Sequence, residues 1–525
     1  MSLPGLMRVL DSRSRWAMLV AGLAGAFLLM IAVRSVMSHP PMYDELLHVL
    51  AARGVVATGE PVILDGAYRR AELFTRLVAL VYEWRGESLW AARLPALLSG
   101  MVLMLLTGAW VTRHAGFLAG ATASVLLAAT ATTIELSAFA RFYTLHALVI
   151  FVLYVSAFNA CAPDNSRRVK VLWSLLALAA VPLAGHLQKS TLIGVGAAAA
   201  GVVSLIALDR WIALRAAFKR RPGTFLLATV GLAIVGVMLA RRFGIDNLAE
   251  AAPLWAAGRS DDVGFYIGML GREWPLFWAL IPLGALAAIT EFRRFGLFCT
   301  VVALAAIAVH SVAAAKAMRY VYYAMPFLCA VVGCGVAVSV KLLGGWIGKL
   351  RGVNHSGWAT VAAILLIAAV VANSQEARLA ARFLTGKASW TDLAMFASEA
   401  DWSAAVPVLR AHLGRDSTLV VSSAVKGVYY LGDYDYELNA STVLESESLQ
   451  EFGLDRRTGR QVIGTRGSLA QVLDRSRQTL LVVDADKVGK ASGVSVDVVE
   501  LIASRCAVLE VPAESRVRAW TCRHI

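Results

Sequence analysis

The chain has 525 residues, 58% of them hydrophobic and only 16% charged, and its mean hydropathy is +0.64. That balance excludes an ordinary soluble protein, and because the apolar residues come in long runs it reads as a polytopic membrane protein. The formal charge of +14 does not call for nucleic acid, because membrane proteins gather Lys and Arg in the loops that stay in the cytoplasm.

In chain order, Arg8, Arg13 and Arg15 precede the apolar run 16–33. This run approaches the length that spans a bilayer and exceeds a signal-peptide core, so it predicts an uncleaved first helix with a cytoplasmic N-terminus. Further runs at 94–112, 115–134, 144–161, 169–187, 191–208, 224–240, 275–290, 295–315, 320–340 and 357–373 bring the expected number of spans to eleven. Alternation from a cytoplasmic start then places seventeen basic residues against four acids on the inner side, as the positive-inside rule requires. An odd number of spans puts the C-terminus outside.

Two outer segments, 37–87 and 241–273, are too long to be mere connectors, and long ordered loops tend to be functional. The first carries helical patterns at 43–57 and 70–84, which predict helices at the membrane surface with Tyr82 and Trp84 as anchors. From residue 374 the composition becomes that of a soluble domain. Helical patterning over 390–413 leads to expected strands at 417–421, 479–483, 506–511 and 516–522, with a helix at 496–504 before the last pair. The fold class is therefore an all-α membrane domain, residues 1–373, followed by an extracytoplasmic α/β domain, residues 374–525. The latter has no Gly-rich phosphate loop and so no nucleotide site. Cys161, Cys299, Cys329 and Cys334 fall in or beside apolar runs and read as packing residues. Cys506 and Cys522 lie in the polar region and could bridge adjacent strands in an oxidising compartment.

No Asp, Glu or Lys lies in the middle of a run, which argues against an ion-coupled carrier. His310, alone among Ala and Val, reads as a helix-packing residue. The polar residues gather instead at the outer ends of the spans: Glu135, Arg141 and Tyr143; Gln188 and Lys189; Lys316, Arg319, Tyr320, Tyr322 and Tyr323. Singly such cations can be snorkelling anchors; together they could ring a cavity with the guanidinium groups that phosphate recognition favours. Just after the first span, Asp44 and Glu45 put two carboxylates at the outer surface. A helix starting near Tyr43 sets Asp44 beside Leu47 and His48, with Glu45 about 100° round. Asp44 and His48 could then form a ligand pair for a divalent metal, while Glu45 could orient a helix or that metal.

Tyr43-Asp44-Glu45 after the first span, Ala91-Ala92-Arg93-Leu94-Pro95-Ala96-Leu97 at the second, Glu135 with Ala140-Arg141-Phe142-Tyr143 before the fourth, and Arg319-Tyr320 with Pro326 at the tenth together resemble the GT-C glycosyltransferases of the protein O-mannosyltransferase and lipid A aminoarabinose transferase type. The resemblance covers roughly residues 16–373. It implies an enzyme moving a sugar from a polyprenyl-phosphate carrier to an acceptor hydroxyl on a glycolipid, polysaccharide or protein, with Asp44 as base. The chain departs from the family pattern before the second span, where Arg69-Arg70-Ala71-Glu72 stands in place of a basic residue followed by two prolines. Such transfer needs a proton acceptor and a cationic cluster for the charge growing on the departing phosphate. The expected site is thus Asp44 and Glu45; Arg141 and Arg319 on the phosphate, followed by Arg70, Lys189 and Lys316; and Glu135, Tyr143 and Tyr320 lining it. A phosphate held by arginines needs no metal. The rival expectation is a flippase or scaffold that binds lipid-linked sugars without chemistry.

Overall fold

The computed structural model describes residues 12–523 apart from 35, 219–261, 314–315, 352–364, 366–367, 370–371, 394–395, 397–399, 446–451 and 492. Its contacts divide the chain into two units, one of residues 1–33, 97–137 and 143–387, the other of residues 34–96, 138–142 and 388–525.

Among the described residues, seven helices are long and apolar enough to cross a membrane: Arg15–Arg34, Leu89–Ala115, Tyr143–Ala160, Arg167–Leu187, Thr191–Trp211, Pro275–Val312 and Met318–Leu343. The expected run 115–134 is a pair of helices, Phe117–Ala128 and Ala131–Ser137, bent by 66°. The break has a local cause: the Thr130 hydroxyl accepts the Thr133 N–H at 3.0 Å, so a new helix is capped where the first one stops. The runs 275–290 and 295–315 lie in one stretch, Pro275–Val312, interrupted by non-helical backbone at Phe292 and Arg293. Run 224–240 and most of 357–373 lie outside the described residues. Glycines set the closest helix approach. A Cβ on Gly22 would stand 2.4 Å from the Leu105 carbonyl oxygen, and one on Gly108 would stand 2.6 Å from the Gly22 nitrogen, which is small-residue packing of the kind membranes favour.

The second unit is built on a sheet. After the short hairpin of β1 (Val62–Ile63) and β2 (Gly66–Ala67) come β3 (Ser417–Val421), β4 (Tyr436–Leu438), β5 (Phe452–Leu454), β6 (Gln461–Ile463), β7 (Gln478–Asp484), β8 (Cys506–Leu509) and β9 (Val517–Arg523). The last seven form one sheet in the order β5-β6-β4-β3-β7-β9-β8, parallel through β6-β4-β3-β7 and antiparallel at both edges. Alternation along the strands feeds two cores. Val420, Leu481 and Val483 meet Leu469, Val498 and Ile502 on one face. Leu419, Val421, Leu480 and Val482 meet Trp402, Leu409 and Tyr430 on the other. Cys506 and Cys522, opposite each other in β8 and β9, are joined as a disulfide.

The helices Tyr43–Thr58 and Glu72–Arg85 appear where patterning places them, packed on each other and, through the first, on the helix Ala424–Leu431. The β1–β2 hairpin docks through backbone bonds from Asp65 N–H to Thr458 O (3.1 Å) and from Ala67 N–H to Arg456 O (3.2 Å). Only glycine fits at the start of β2, because a Cβ on Gly66 would lie 2.4 Å from the Arg457 carbonyl carbon. The outer segment 37–87 therefore belongs with the C-terminal sheet in one unit, and the packing does not divide at the expected boundary of 373. Tyr82 is buried in this unit rather than free to anchor at a surface, whereas Trp84 is exposed with Arg85 stacked on it.

Candidate active site

The chain leaves Pro40-Pro41 extended, and Met42 (φ −82°, ψ 154°) opens the helix Tyr43–Thr58 with Asp44 and Glu45 in its first turn. Carboxylates there are favoured by the positive end of the helix dipole. Their fates then diverge because their faces differ.

Glu45 is fully buried and paired with an equally buried Arg93. Arg93 Nε donates to Oε1 at 2.7 Å and Nη2 to Oε2 at 2.8 Å, a two-pronged pair. Arg93 also donates to the carbonyls of Met37 (2.5 Å) and His39 (3.0 Å). Glu45 Oε1 accepts the Ala140 N–H at 2.9 Å, and Oε2 accepts the Met42 N–H at 3.3 Å. Burial alone would push this carboxyl up, but the Arg93 charge and hydrogen bonds outweigh it and hold Glu45 below the ordinary value. Glu45 is thus fixed as a clasp between the helix start, Arg93 and the segment 138–142.

That clasp sets Arg141. Its Nη1 donates to the Asp44 carbonyl at 2.9 Å and to the Tyr68 hydroxyl at 3.1 Å, and its Nη2 lies 3.6 Å from Asp44 Oδ2. The Asp44 side chain is 39% exposed against 1% for Arg141, so a buried guanidinium steadies a carboxylate that still faces solvent. Arg141 and the exposed Arg70 both approach the Phe142 ring, at 5.1 and 5.6 Å from its centroid. His48 does not pair with Asp44. It is buried, with Nδ1 2.8 Å from Thr75 Oγ1 and its ring edge-on to Tyr68, Phe74 and Phe142. Burial holds it well below its usual pKa, hence neutral. Among the described residues no three His, Cys, Asp or Glu side chains gather as a metal site.

The remaining candidates belong to the membrane unit. Arg319 lies over the Tyr320 ring at 5.3 Å, Lys189 is exposed, Glu135 and Tyr320 are half-buried and Tyr143 is buried. Lys316 donates to the carbonyls of His310 (3.3 Å), Ser311 and Ala313 (2.5 Å), closing the end of the helix Pro275–Val312. His310 Nε2 meets the Tyr323 hydroxyl at 3.1 Å. In the same unit Glu376 accepts the Thr132 N–H at 3.1 Å, and burial raises its carboxyl to about 7. Sequence reasoning took Arg93 as a motif marker only, although an arginine so close to an apolar run signals a buried partner. Tyr68 gave no signal.

No protein-family model matches the sequence, and no curated protein matches it. Among solved structures, ArnT from Cupriavidus metallidurans bound to undecaprenyl phosphate is similar at 15% identity with a TM-score of 0.62, over 96% of this chain and 97% of that one. The archaeal oligosaccharyltransferase AglB from Archaeoglobus fulgidus, in complex with an inhibitory peptide and a dolichol-phosphate, matches at 11% identity and a TM-score of 0.55, over 95% and 73%. The Archaeoglobus fulgidus oligosaccharyltransferase in complex with Zn and sulfate gives 11% and 0.54, over 94% and 71%. At such identities the likeness is one of fold. The chain has the GT-C fold its motifs implied, membrane helices followed by a sheet-containing C-terminal part.

Proposed function

We propose that this chain is a membrane glycosyltransferase that moves a sugar from a polyprenyl-phosphate carrier to an acceptor hydroxyl at the periplasmic face of a bacterial inner membrane. The observation that carries the reading is the half-exposed Asp44 carboxylate at a helix N-terminus, 3.6 Å from a buried arginine that also holds its backbone. It is supported by the shared fold of proteins whose solved structures hold undecaprenyl phosphate or dolichol-phosphate.

The acceptor oxygen attacks the anomeric carbon as the bond from that carbon to the carrier phosphate breaks. The hydroxyl proton passes to Asp44 and the electron pair leaves with the phosphate. A single displacement inverts the anomeric centre. Arg141 is a positioning residue in this scheme, acting through its bonds to the Asp44 carbonyl and the Tyr68 hydroxyl, and Glu45 with Arg93 positions Arg141 in turn. The charge on the departing phosphate falls to Arg70, which approaches the Phe142 ring as Arg141 does, a donor to such charge being worth roughly 3 to 4 kcal/mol. Lys316 serves its helix end instead. A divalent cation is the alternative source of that charge, and a chelator that stops turnover would reveal it. The acceptor is a glycolipid, a polysaccharide or a protein.

The test is turnover of a labelled polyprenyl-phosphate sugar by purified protein. Asp44→Asn should lower the rate by about 10² to 10⁴, the usual share of a general base, while donor binding persists. Unchanged turnover would refute the enzyme as drawn, and donor binding with no turnover in either protein would favour a flippase or scaffold.

A further inference from the structure

The second unit contains a cavity of about 330 Å³ that the mechanism above does not use. Its position follows from the sheet. From β3 the chain crosses to β4 and on to β6 on one side, then returns to β7 on the other side of β3. Open parallel sheets bind ligands outside the carboxyl ends of their strands at such a reversal. Asp484 ends β7, Asn439 follows β4, and Lys426 lies on the helix after β3, and all three line the cavity with Lys487, Asp486 and Arg457.

The lining is charged and largely preset. Lys426, almost wholly buried, lies 3.4 Å from Asp484 Oδ2 and donates to the Ala400 carbonyl at 3.1 Å. Trp402 Nε1 donates to Asp484 Oδ1 at 2.6 Å, which fixes that carboxylate from behind. Lys487 shares Asp484 at 3.9 Å and donates to the Ser422 carbonyl at 2.7 Å. Arg457 is held by Asp455 at 2.8 Å. Two buried polar atoms beside the wall have no hydrogen-bond partner among the described residues. They are Glu437 Oε2 and Arg457 Nη2, which stand 3.9 Å apart. Glu437 also meets the lining Asn439 at 3.3 Å. Lys426 and Arg457 are committed to Asp484 and Asp455, whereas the partly exposed Lys487 of the lining has its nearest carboxylate oxygen 3.9 Å away. The remaining wall is Tyr43, whose ring lies near both Arg457 and Lys487 and whose neighbour in the chain is Asp44.

We propose that this cavity is an acceptor subsite for a hydroxyl-rich sugar bearing an acidic group, a uronate or a sugar phosphate. It rests on the proposed glycosyl transfer: the acidic sugar is seated against Tyr43 while a hydroxyl of the same acceptor is presented to Asp44. The acidic group meets Lys487 at the mouth, and hydroxyls meet Asp484, Asn439 and Arg457.

Saturation-transfer NMR on the full-length protein in nanodiscs, with glucuronate, glucose 1-phosphate and neutral glucose as probes, tests this. The two acidic sugars should bind and glucose should bind at least about tenfold more weakly, the worth of one charge-assisted hydrogen bond. Lys487→Ala should weaken the acidic sugars by a similar factor, Lys487→Arg should restore them, and Asp486→Asn at the exposed rim should tighten them. No binding to the wild type, equal binding of glucose, or indifference to both Lys487→Ala and Asp486→Asn would overturn the proposal. Asp44→Asn should bind the probes as the wild type does, so a failed cavity and a failed transfer reaction are separately visible.

Discussion

Replacing Arg93 by Met would leave the Glu45 carboxylate buried with no cation. Both side chains have no exposure, and they share two hydrogen bonds of 2.7 and 2.8 Å. Removing one partner of such a pair costs about 3 to 5 kcal/mol, a large part of the 5 to 15 kcal/mol that typically holds a fold. Glu45→Gln strands the guanidinium instead and should cost a similar amount. The double variant Glu45→Gln/Arg93→Met removes both charges together. Its residual cost should be about 1 to 3 kcal/mol, from the carbonyls of Met37 and His39 that lose their donor. The amide oxygen that Glu45→Gln introduces can still accept the Ala140 N–H, so segment 138–142 and Arg141 stay in place and transfer should recover relative to either single variant. Unfolding followed by tryptophan fluorescence in mild detergent gives the cycle. A coupling of about 3 kcal/mol or more is expected, and additivity within about 0.5 kcal/mol would refute the clasp.

Stability should also report on pH through two groups of opposite sign. The Glu45 carboxyl is depressed, so its contribution is complete above the unfolded value of 4.5 and is lost as pH falls through its lower folded value. Glu376 is raised to about 7, so its contribution is complete below 4.5 and is lost as pH rises to about 7. Glu376→Gln should remove that decline, worth about 3 kcal/mol at most, and a melting profile unchanged between pH 5 and 8 would contradict it. Cys506→Ser should destabilise the sheet unit by about 3 kcal/mol, because the bridge closes a loop of separation 16. Addition of reductant should mimic the change. Gly66→Ala should lift the hairpin from residues 456–458, seen as faster hydrogen exchange at Asp65 and Ala67, whose N–H groups bond to the Thr458 and Arg456 carbonyls.

The fold was legible where burial imposes a pattern. Apolar runs gave the membrane helices, and alternation gave β3, β7, β8 and β9 with the helix Val496–Arg505. The strands β4, β5 and β6 escaped because three residues are too few to show alternation, and their partners lie far along the chain. The helix break at Thr130 escaped because a capping hydroxyl inside an apolar run looks like any other small polar residue. At the site, the closeness of Asp44 and Arg141 was expected from their positions outside the spans and from family resemblance. The inward turn of Glu45 followed only from its angle on the helix, and its partner could not be named because Arg93 is 48 residues away. The bonds of Lys316 to its helix end were not legible either, since a lysine just beyond a helix end can satisfy carbonyls as readily as it can bind phosphate.

The most direct measurement is mass spectrometry of envelope glycolipids, polysaccharides and glycoproteins from cells lacking this protein, complemented by the wild type or by Asp44→Asn at equal membrane abundance. We predict a sugar mass increment on one acceptor that returns with the wild type and stays missing with Asp44→Asn. Restoration of that increment by Asp44→Asn would contradict the account.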